Sequence, residues 1–258
     1  MSVLHLGYGN KGGVGKSFFV KLLLEYFIYK EWIYRLFDLD AGNHDVGKIY
    51  APKIYNPAKK DKDKTNEEVF LQFTDNKNNR DEVDTLFVSA MNIDTIINLP
   101  SNVKHLLEPW IINNGLIELA KENDVRFIQW FVCSGSQPSI DEFYLTLDKF
   151  KNSNNFTHVF VKNYGMEENW SKILTQNKKL KETLEADRII TFDLPELSSL
   201  RYSKMLDNNL TFSAAKNSDK LNVIDKQAVK KFLDTAYENF NAVFTELGIS
   251  GVATTAKK

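Results

Sequence analysis

The glycine-rich segment near the start of the chain constrains the fold more than any other feature. Residues 9–17 read Gly-Asn-Lys-Gly-Gly-Val-Gly-Lys-Ser and begin three positions after the end of the short apolar run of residues 3–6. This order matches the phosphate-binding pattern G-x-x-x-x-G-K-[ST], with Asn10 in place of the first glycine. Glycines let successive backbone N–H groups curl around phosphate oxygens at the N-terminus of the following helix. The segment therefore predicts a strand, a phosphate loop and a helix, the start of an α/β P-loop NTPase domain.

The residue types in this loop predict what each position does. Lys16 would reach the β- and γ-phosphates of a nucleotide, which makes it a candidate catalytic residue. The hydroxyl of Ser17 would ligate a Mg²⁺ ion whose other ligands are phosphate oxygens and water. The predicted nucleotide-binding residues of this segment are Gly12, Gly13, Val14, Gly15, Lys16, Ser17 and Phe18.

Composition narrows the class of protein. The chain has 258 residues, of which 43% are hydrophobic, so we expect one P-loop domain over residues 1–248 and a flexible tail over 249–258. The formal net charge of −1 says little about partners, because a balanced total can hide a local basic face. Cys133 is the single cysteine, and neither a signal-peptide pattern nor an apolar run of membrane-spanning length is found. These features predict a cytoplasmic protein in a reducing compartment.

Apolar runs alternate with helical patterns along the chain, which is typical of a mostly parallel twisted sheet with helices on both faces. Strands are predicted near residues 2–7, 33–38, 94–98, 125–133, 156–163 and 187–192. Helices are predicted near residues 16–30, 82–91, 103–122, 138–151, 168–185 and 222–247. The last helix carries an apolar stripe from Val223 and Ile224 to Leu247 that is expected to pack in the core. Residues 52–80 are rich in charge and predict an excursion after the second strand.

Two carboxylates end the second predicted strand. Asp38 and Asp40 lie two residues apart, so alternation along a strand places them on the same side, next to the predicted phosphate loop. The following residues, 42–45, have the composition of a switch loop. Phosphoryl transfer to water needs a positioned nucleophile and charge neutralisation more than a strong base. Taken alone, the two aspartates fit that chemistry or a simple strand end.

An additional lysine, Lys11, makes the loop unusual. The form K-G-G-x-G-K-[ST], with a cation ahead of Lys16, resembles the deviant Walker A motif of the ParA/MinD family of P-loop ATPases. The resemblance implies ATP and Mg²⁺ as cofactors and a homodimer in which Lys11 acts catalytically on the nucleotide of the partner subunit, as an arginine finger does. Iron–sulfur members of the superfamily need two cysteines per subunit, which Cys133 alone does not supply.

The resemblance extends to the two carboxylates and then shows one departure. In the family, the second aspartate of the matching D-x-D element positions the attacking water and the first supports Mg²⁺ through water. By resemblance, Asp40 is the catalytic candidate and Asp38 the metal candidate. The family's Walker B aspartate is replaced by Asn98, within Thr-Ile-Ile-Asn-Leu-Pro-Ser at residues 95–101. An amide brings no negative charge, so slow hydrolysis and a nucleotide-dependent scaffold with little hydrolysis are both compatible with the sequence.

Two further segments resemble the adenine pocket of the family. Asn163 ends an apolar strand at a place where the family often contacts the base. Pro195 and Leu197 belong to a segment that resembles the loop closing over the base. An ordinary turn residue at 163 and an ordinary helix start at 195 are the alternative interpretations.

Looser similarity narrows the subfamily and its partners. Segments 11–26, 108–111, 116–120 and 161–165 look like the plasmid mobilisation proteins of the MobD type. That resemblance implies a role in plasmid partition, mobilisation or cargo positioning, with a ParB-like or relaxosome adaptor protein as partner. It also implies non-specific DNA binding through Arg201 and Lys204, for which scattered surface lysines are the alternative explanation. The C-terminal stretch is no amphipathic membrane helix, so no membrane partner is expected. A small-molecule kinase or ligase of the related synthetase branch is a further alternative, and Lys11 argues against it.

Overall fold

The structure is a computed structural model and describes residues 1–9, 11–40, 45–50, 54–55, 71, 73, 80–150, 152–186 and 189–251. Asn10, residues 42–44 of the predicted switch loop, nearly all of the predicted excursion and residues 252–258 of the predicted tail lie outside the described residues.

One sheet of seven strands organises the described residues. The strands are β1 (Ser2–Tyr8), β2 (Tyr34–Asp38), β3 (Ile54–Tyr55), β4 (Thr95–Asn98), β5 (Val125–Cys133), β6 (Phe156–Asn163) and β7 (Ile190–Leu194). Their order in the sheet is β3-β2-β4-β1-β5-β6-β7. Every neighbouring pair is parallel except β2 and β3, which are antiparallel. The mostly parallel sheet predicted from the alternation of elements is confirmed, and β3 is an edge strand that the prediction lacked.

Eleven helices are assigned within the described residues. They are α1 (Lys16–Tyr29), α2 (Gly47–Tyr50), α3 (Asp84–Ala90), α4 (Lys104–Asn113), α5 (Leu116–Glu122), α6 (Gln137–Phe150), α7 (Trp170–Gln176), α8 (Lys178–Ala186), α9 (Ser199–Asp207), α10 (Phe212–Ala215) and α11 (Val223–Leu247). A 3-10 turn, Arg80–Val83, leads into α3. Among these elements, no helix is both long and apolar enough to span a bilayer.

Two hydrophobic cores cover the two faces of the sheet. Successive residues of a strand point to opposite faces, so Val3 of β1 belongs to the core that contains α1 and α11, whereas Leu4 belongs to the core that contains α3 to α6. Parallel strands buried on both faces read as nearly continuous apolar runs, as β5 does. Asp38 and Asn98 are register partners at the ends of β2 and β4, beside Gly7 of β1. The carboxyl edge of the sheet thus gathers the polar residues.

Several helix boundaries differ from the prediction for local reasons. The predicted helix 103–122 is divided into α4 and α5 because Gly115 adopts a left-handed conformation with φ 59°. The predicted helix 168–185 is divided at Asn177, whose Oδ1 accepts a hydrogen bond from the backbone N–H of Leu180 and caps α8. The short helices α2, α9 and α10 were not predicted, and the strand predicted at 187–192 is observed as Ile190–Leu194.

The apolar stripe of the last helix is buried except at its start. From Val229 to Leu247 its large apolar residues lie in the core, as predicted. Val223 and Ile224 are exposed by 77% and 68%, so the prediction that they pack in the core was wrong. They occupy the first turn of α11, where the Oδ1 of Asn222 accepts the backbone N–H of Asp225 and caps the helix ahead of the region that contacts the sheet.

Candidate nucleotide-binding site

The glycine loop joins β1 to α1 at the carboxyl edge of the sheet. Gly13 and Gly15 have φ of 79° and 98°, a region that residues with a Cβ rarely adopt. A Cβ added at Gly15 would lie 2.6 Å from Nδ2 of Asn163, so glycine is required there for space as well. Nδ2 of Asn163 also donates a 2.8 Å hydrogen bond to the carbonyl oxygen of Val14. The end of β6 therefore braces the loop against α1.

Lys16 is held at the start of α1 by neutral acceptors. Its side chain is buried, with a residue exposure of 6%, and its Nζ donates hydrogen bonds to Oγ of Ser101 at 3.0 Å and to the carbonyl oxygen of Lys11 at 3.3 Å. Burial lowers the pKa of Lys16, and the charge of Asp40 acts in the opposite direction. A buried ammonium beside backbone N–H groups at a helix N-terminus attracts an anion. This arrangement suits a phosphate.

Lys11 lies on the exposed side of the loop. In the part of the chain that the structure describes, its ammonium makes no hydrogen bond or ion pair, and only its backbone carbonyl is engaged, by Lys16. An exposed cation at this position is available to a group outside the protomer. Its action on a partner's nucleotide stays a prediction.

Asp38 is a buried acceptor whose hydrogen bonds are all within the protein. Its Oδ1 accepts from Nδ2 of Asn98 at 2.8 Å and from the backbone N–H of Asp40 at 3.2 Å. Its Oδ2 accepts from the backbone N–H groups of Val46 at 3.2 Å and Gly47 at 2.8 Å. A carboxylate offers about four lone-pair sites, so these four bonds occupy its accepting capacity. In this structure Asp38 anchors the segment after β2 to the end of β4.

Asp40 follows this anchor and is half-buried. Its backbone N–H binds Asp38, and its charge acts on Lys16, so its carboxylate lies on the side of the phosphate loop. This location fits the predicted water-positioning role, which stays a prediction.

The residues around the loop fit a Mg²⁺ ion held mainly by a nucleotide. Mg²⁺ usually keeps several waters and takes one or two protein ligands together with phosphate oxygens. Ser17 stands at the first turn of α1, half-buried, as the predicted ligand requires. Oδ1 of Asn98 is buried and has no hydrogen-bond partner among the described residues, so it is an acceptor that a metal-bound water would satisfy. Ser17 and Asn98 fit the ion better than the fully engaged Asp38 does.

The predicted adenine contacts are only partly brought together. The side-chain amide of Asn163 is engaged on both sides. Its Nδ2 donates to the glycine loop, and its Oδ1 accepts a hydrogen bond from the N–H of Gly165 in the turn after β6. Pro195 and Leu197 follow β7, the neighbour of β6, and Leu197 packs on the core. The ring of Phe18 packs against Tyr202, Phe212 and Phe232. The contacts of Phe18, Asn163, Pro195 and Leu197 with a nucleotide stay predictions.

The two predicted DNA-binding cations form an ion cluster on the protein itself. Nε of Arg201 and Nζ of Lys204 lie 3.2 Å and 2.7 Å from the carboxylate oxygens of Asp225. The hydrogen bond from Lys204 is the main cause that lowers the pKa of Asp225. Because the two positive charges share one negative charge, the cluster has a net charge of +1 with which to attract DNA phosphates.

Sequence reasoning missed a buried polar cluster behind the site. The carboxylate of Glu25 on α1, which is 0% exposed, accepts from Oη of Tyr50 at 2.7 Å, from the N–H of Ser213 at 3.0 Å and from the Ser213 hydroxyl. Oη of Tyr50 in turn accepts the N–H of Phe212 at 3.3 Å. Burial, and then the charge of Glu25, raises the pKa of Tyr50 well above its ordinary value. The signal in the sequence was the single acidic residue of α1, which stands between Leu24 and Tyr26.

A second residue missed from the sequence is Ser101. It follows β4 and accepts a hydrogen bond from Lys16, and a Cβ added at Gly12 would lie 3.6 Å from its Oγ. Serine after proline is common in turns, so nothing in the sequence distinguished it.

Comparison with solved structures agrees with this architecture. A chain of the MinC:MinD cell division protein complex from Aquifex aeolicus matches with a TM-score of 0.51 and 12% sequence identity, over 97% of each chain. A nucleotide-binding protein from Archaeoglobus fulgidus in complex with ADP matches with a TM-score of 0.44 and 12% identity, over 80% of this chain and 87% of that one, which is too distant to bear on this protein. No protein-family model and no curated protein matches the sequence. The chain therefore has an α/β fold similar to that of the matched chain of the MinC:MinD complex.

Proposed function

We propose that the chain is a ParA-like ATPase that binds ATP and Mg²⁺ at the loop between β1 and α1 and works as a dimeric switch. The observation that carries this proposal is Lys16, a buried ammonium that faces neutral oxygens behind the glycine loop. Asp40 acts on this ammonium only through its charge and forms no ion pair with it among the described residues, so the ammonium is available to a nucleoside triphosphate at the place that the motif predicts.

The switch is a nucleotide-sandwich homodimer in this proposal. Lys11 is exposed on the loop and its ammonium is unpaired within the described chain, which suits a group that reaches across to the nucleotide of the partner. ATP brings a terminal phosphate that ADP lacks, so only ATP gives Lys11 its full anionic target. Hydrolysis of ATP would then let the two subunits dissociate.

Light scattering with ATP and Mg²⁺, with ADP and without nucleotide tests the dimer. We expect a dimer only with ATP for the wild type, and a monomer for Lys11→Ala in every state. Lys121→Ala is the matched control. Lys121 is an exposed lysine on α5, just before β5 begins, and so lies near the amino-terminal ends of the strands, away from the glycine loop. An oligomeric state that does not change between ATP and ADP would overturn this proposal.

We extend the proposal to non-specific DNA as the surface on which the dimer acts. A dimer doubles any basic surface of the protomer, which is a physical route by which ATP would switch DNA binding on. The cluster of Arg201 and Lys204 with Asp225 leaves one net positive charge per protomer, so further lysines would have to contribute. Plasmid partition, mobilisation or cargo positioning, with a ParB-like or relaxosome adaptor protein, is the setting that this switch suits.

A second candidate function is a nucleotide-dependent scaffold with little hydrolysis. The observation that favours it is the Asn98 amide in the Walker B position, bonded to an Asp38 that has no accepting capacity left. Phosphate release measured with ATP and Mg²⁺ separates the two candidates. Turnover that Asp40→Ala removes supports the ATPase, whereas ATP-dependent dimers without turnover support the scaffold.

A further inference from the structure

We propose that Ser101 contacts the terminal phosphate of the bound nucleotide, and this inference rests on the proposed nucleotide site. Its Oγ lies 3.0 Å from Nζ of Lys16, closer than the only other acceptor found for that ammonium in the described chain, the carbonyl of Lys11 at 3.3 Å. In this structure Ser101 therefore accepts a hydrogen bond from the Lys16 ammonium, the group that the motif directs at the β- and γ-phosphates.

Ser101 also faces the loop from a second direction. A Cβ added at Gly12 would lie 3.6 Å from the Ser101 Oγ, so the hydroxyl lies on the side of the loop that Gly12 faces. Ser101 is half-buried, which limits the positions that its side chain can take. The hydrogen bond from Lys16 and the short distance to the Gly12 side of the loop place the hydroxyl at the mouth of the loop.

The hydroxyl has an unused proton. A serine hydroxyl has one O–H donor and two acceptor lone pairs, and among the described residues Ser101 accepts from Lys16 and donates to nothing. An oxygen bound by Lys16 would lie within reach of a hydroxyl that is already 3.0 Å from its Nζ. The O–H of Ser101 would then donate to the same phosphate oxygen, and a bond to a charged acceptor is stronger than one to a neutral group.

The position of Ser101 in the sheet selects the terminal phosphate. The inner phosphate is enclosed by the backbone of the glycine loop, which follows β1. Ser101 comes instead from the loop after β4, the strand that lies between β1 and β2. Asp40, whose charge acts on Lys16, follows β2 on this same side. The Ser101 hydroxyl therefore distinguishes ATP from ADP, and it adds a donor beside a site in which Asn98 has removed a negative charge.

Isothermal titration calorimetry with ATPγS and with ADP tests the inference on the full chain. For Ser101→Ala we expect the affinity for ATPγS to fall about tenfold, as for a lost hydrogen bond to a charged group, and the affinity for ADP to change less than twofold. Ser101→Thr keeps the hydroxyl and should restore the preference for ATPγS. Ser153→Ala is the control that should match the wild type. It removes a hydroxyl just before β6 begins, near the amino-terminal ends of the strands and away from the glycine loop.

The outcomes separate the two proposals. Equal losses for ATPγS and ADP would show that Ser101 acts only by holding Lys16, and no loss would show that it contributes to neither complex. Either result would overturn this inference while leaving the nucleotide site intact. A wild type that binds neither nucleotide would overturn the proposed function and the inference together. Circular dichroism of each variant confirms that the fold is unchanged.

Discussion

Nδ2 of Asn98 donates a 2.8 Å hydrogen bond to Oδ1 of Asp38, between two residues paired in register at the ends of β4 and β2. Both side chains are fully buried. A carboxylate at position 98 would face the Asp38 carboxylate at this distance, and two buried carboxylates cannot both ionise without a large cost. The amide instead satisfies Asp38, which in turn holds the N–H groups of Val46 and Gly47. The departure from the Walker B pattern is thus part of how the segment after β2 is held.

Asn98→Asp should make stability fall as pH rises. One carboxyl of the new pair would have a folded pKa above its unfolded value, so its stabilising protonated form is present at low pH and lost as pH rises through the folded pKa. We expect the variant to be about 1–3 kcal/mol less stable than the wild type at pH 7.5, with a smaller difference at pH 4.5. Urea denaturation at both pH values measures this. Asn217→Asp, at an exposed position, is the control, and an equal effect in the control would contradict the prediction.

Asp94 should also couple stability to pH. Burial raises its pKa from 3.8 to about 6, although its Oδ1 accepts the N–H of Val3 at 2.8 Å. Because the folded pKa lies above the unfolded one, the stability contribution is present below about pH 4 and is lost as pH rises through about 6. A shift of this size corresponds to about 3 kcal/mol. The free energy of unfolding of Asp94→Asn, relative to that of the wild type, should therefore rise by roughly that amount between pH 4 and pH 7.5 in urea denaturation. Equal dependence on pH in the two proteins would refute the raised pKa of Asp94.

Gly15→Ala should damage the phosphate loop more than backbone strain alone explains. A left-handed alanine costs about 1–2 kcal/mol, and at Gly15 the added Cβ would also lie 2.6 Å from Nδ2 of Asn163. Gly248 has φ 65° and open space within 4 Å, so Gly248→Ala measures the strain by itself. We expect Gly15→Ala to lose at least about 1 kcal/mol more than Gly248→Ala and to lose ATP binding. Similar losses of stability would mean that Asn163 yields to the new methyl group.

Tyr50→Phe should loosen the link between the segment after β2 and α10. The change removes a donor to the buried Glu25 carboxylate and the acceptor of the Phe212 N–H. Leaving such groups unsatisfied costs about 1–3 kcal/mol. Thermal or urea denaturation gives the loss, and hydrogen exchange should show faster exchange at Phe212. Tyr29→Phe is the control because Tyr29 is 57% exposed, and equal stability of the two variants would argue against the link.

Asp225→Asn should strengthen binding to duplex DNA if the surface of α9 contacts phosphates. The substitution leaves Arg201 and Lys204 without their shared carboxylate. One more phosphate contact would steepen the dependence of log affinity on log salt by about 0.9. Fluorescence anisotropy with a labelled duplex across a salt series measures this slope. Asp234→Asn, an exposed substitution on α11 with the same charge change, is the control, and equal slopes would exclude this surface.

The glycine loop and the alternating elements were enough to predict the α/β fold and the place of Lys16. The glycine spacing is a local requirement of a loop that curls around phosphate, and the apolar runs of β1, β5 and β6 are what a sheet buried on both faces demands. Such local and periodic constraints can be read along the chain because they act between near neighbours. The exposure of Val223 and Ile224 could not be read in this way, because it depends on where α11 meets the sheet.

The sequence by itself determined the phosphate loop, the parallel sheet and the candidate residues at the carboxyl edge, since each follows from residue spacing. Only the tertiary structure decided how those residues are shared: that Asp38 is saturated by Asn98 and the segment after β2, that Lys16 is held by Ser101, and that Arg201 and Lys204 meet Asp225. These pairs are separated by 8 to 85 residues along the chain. Hydrogen bonds and ion pairs act over a few ångströms, so such partners become visible only when folding brings the strand ends and helices together.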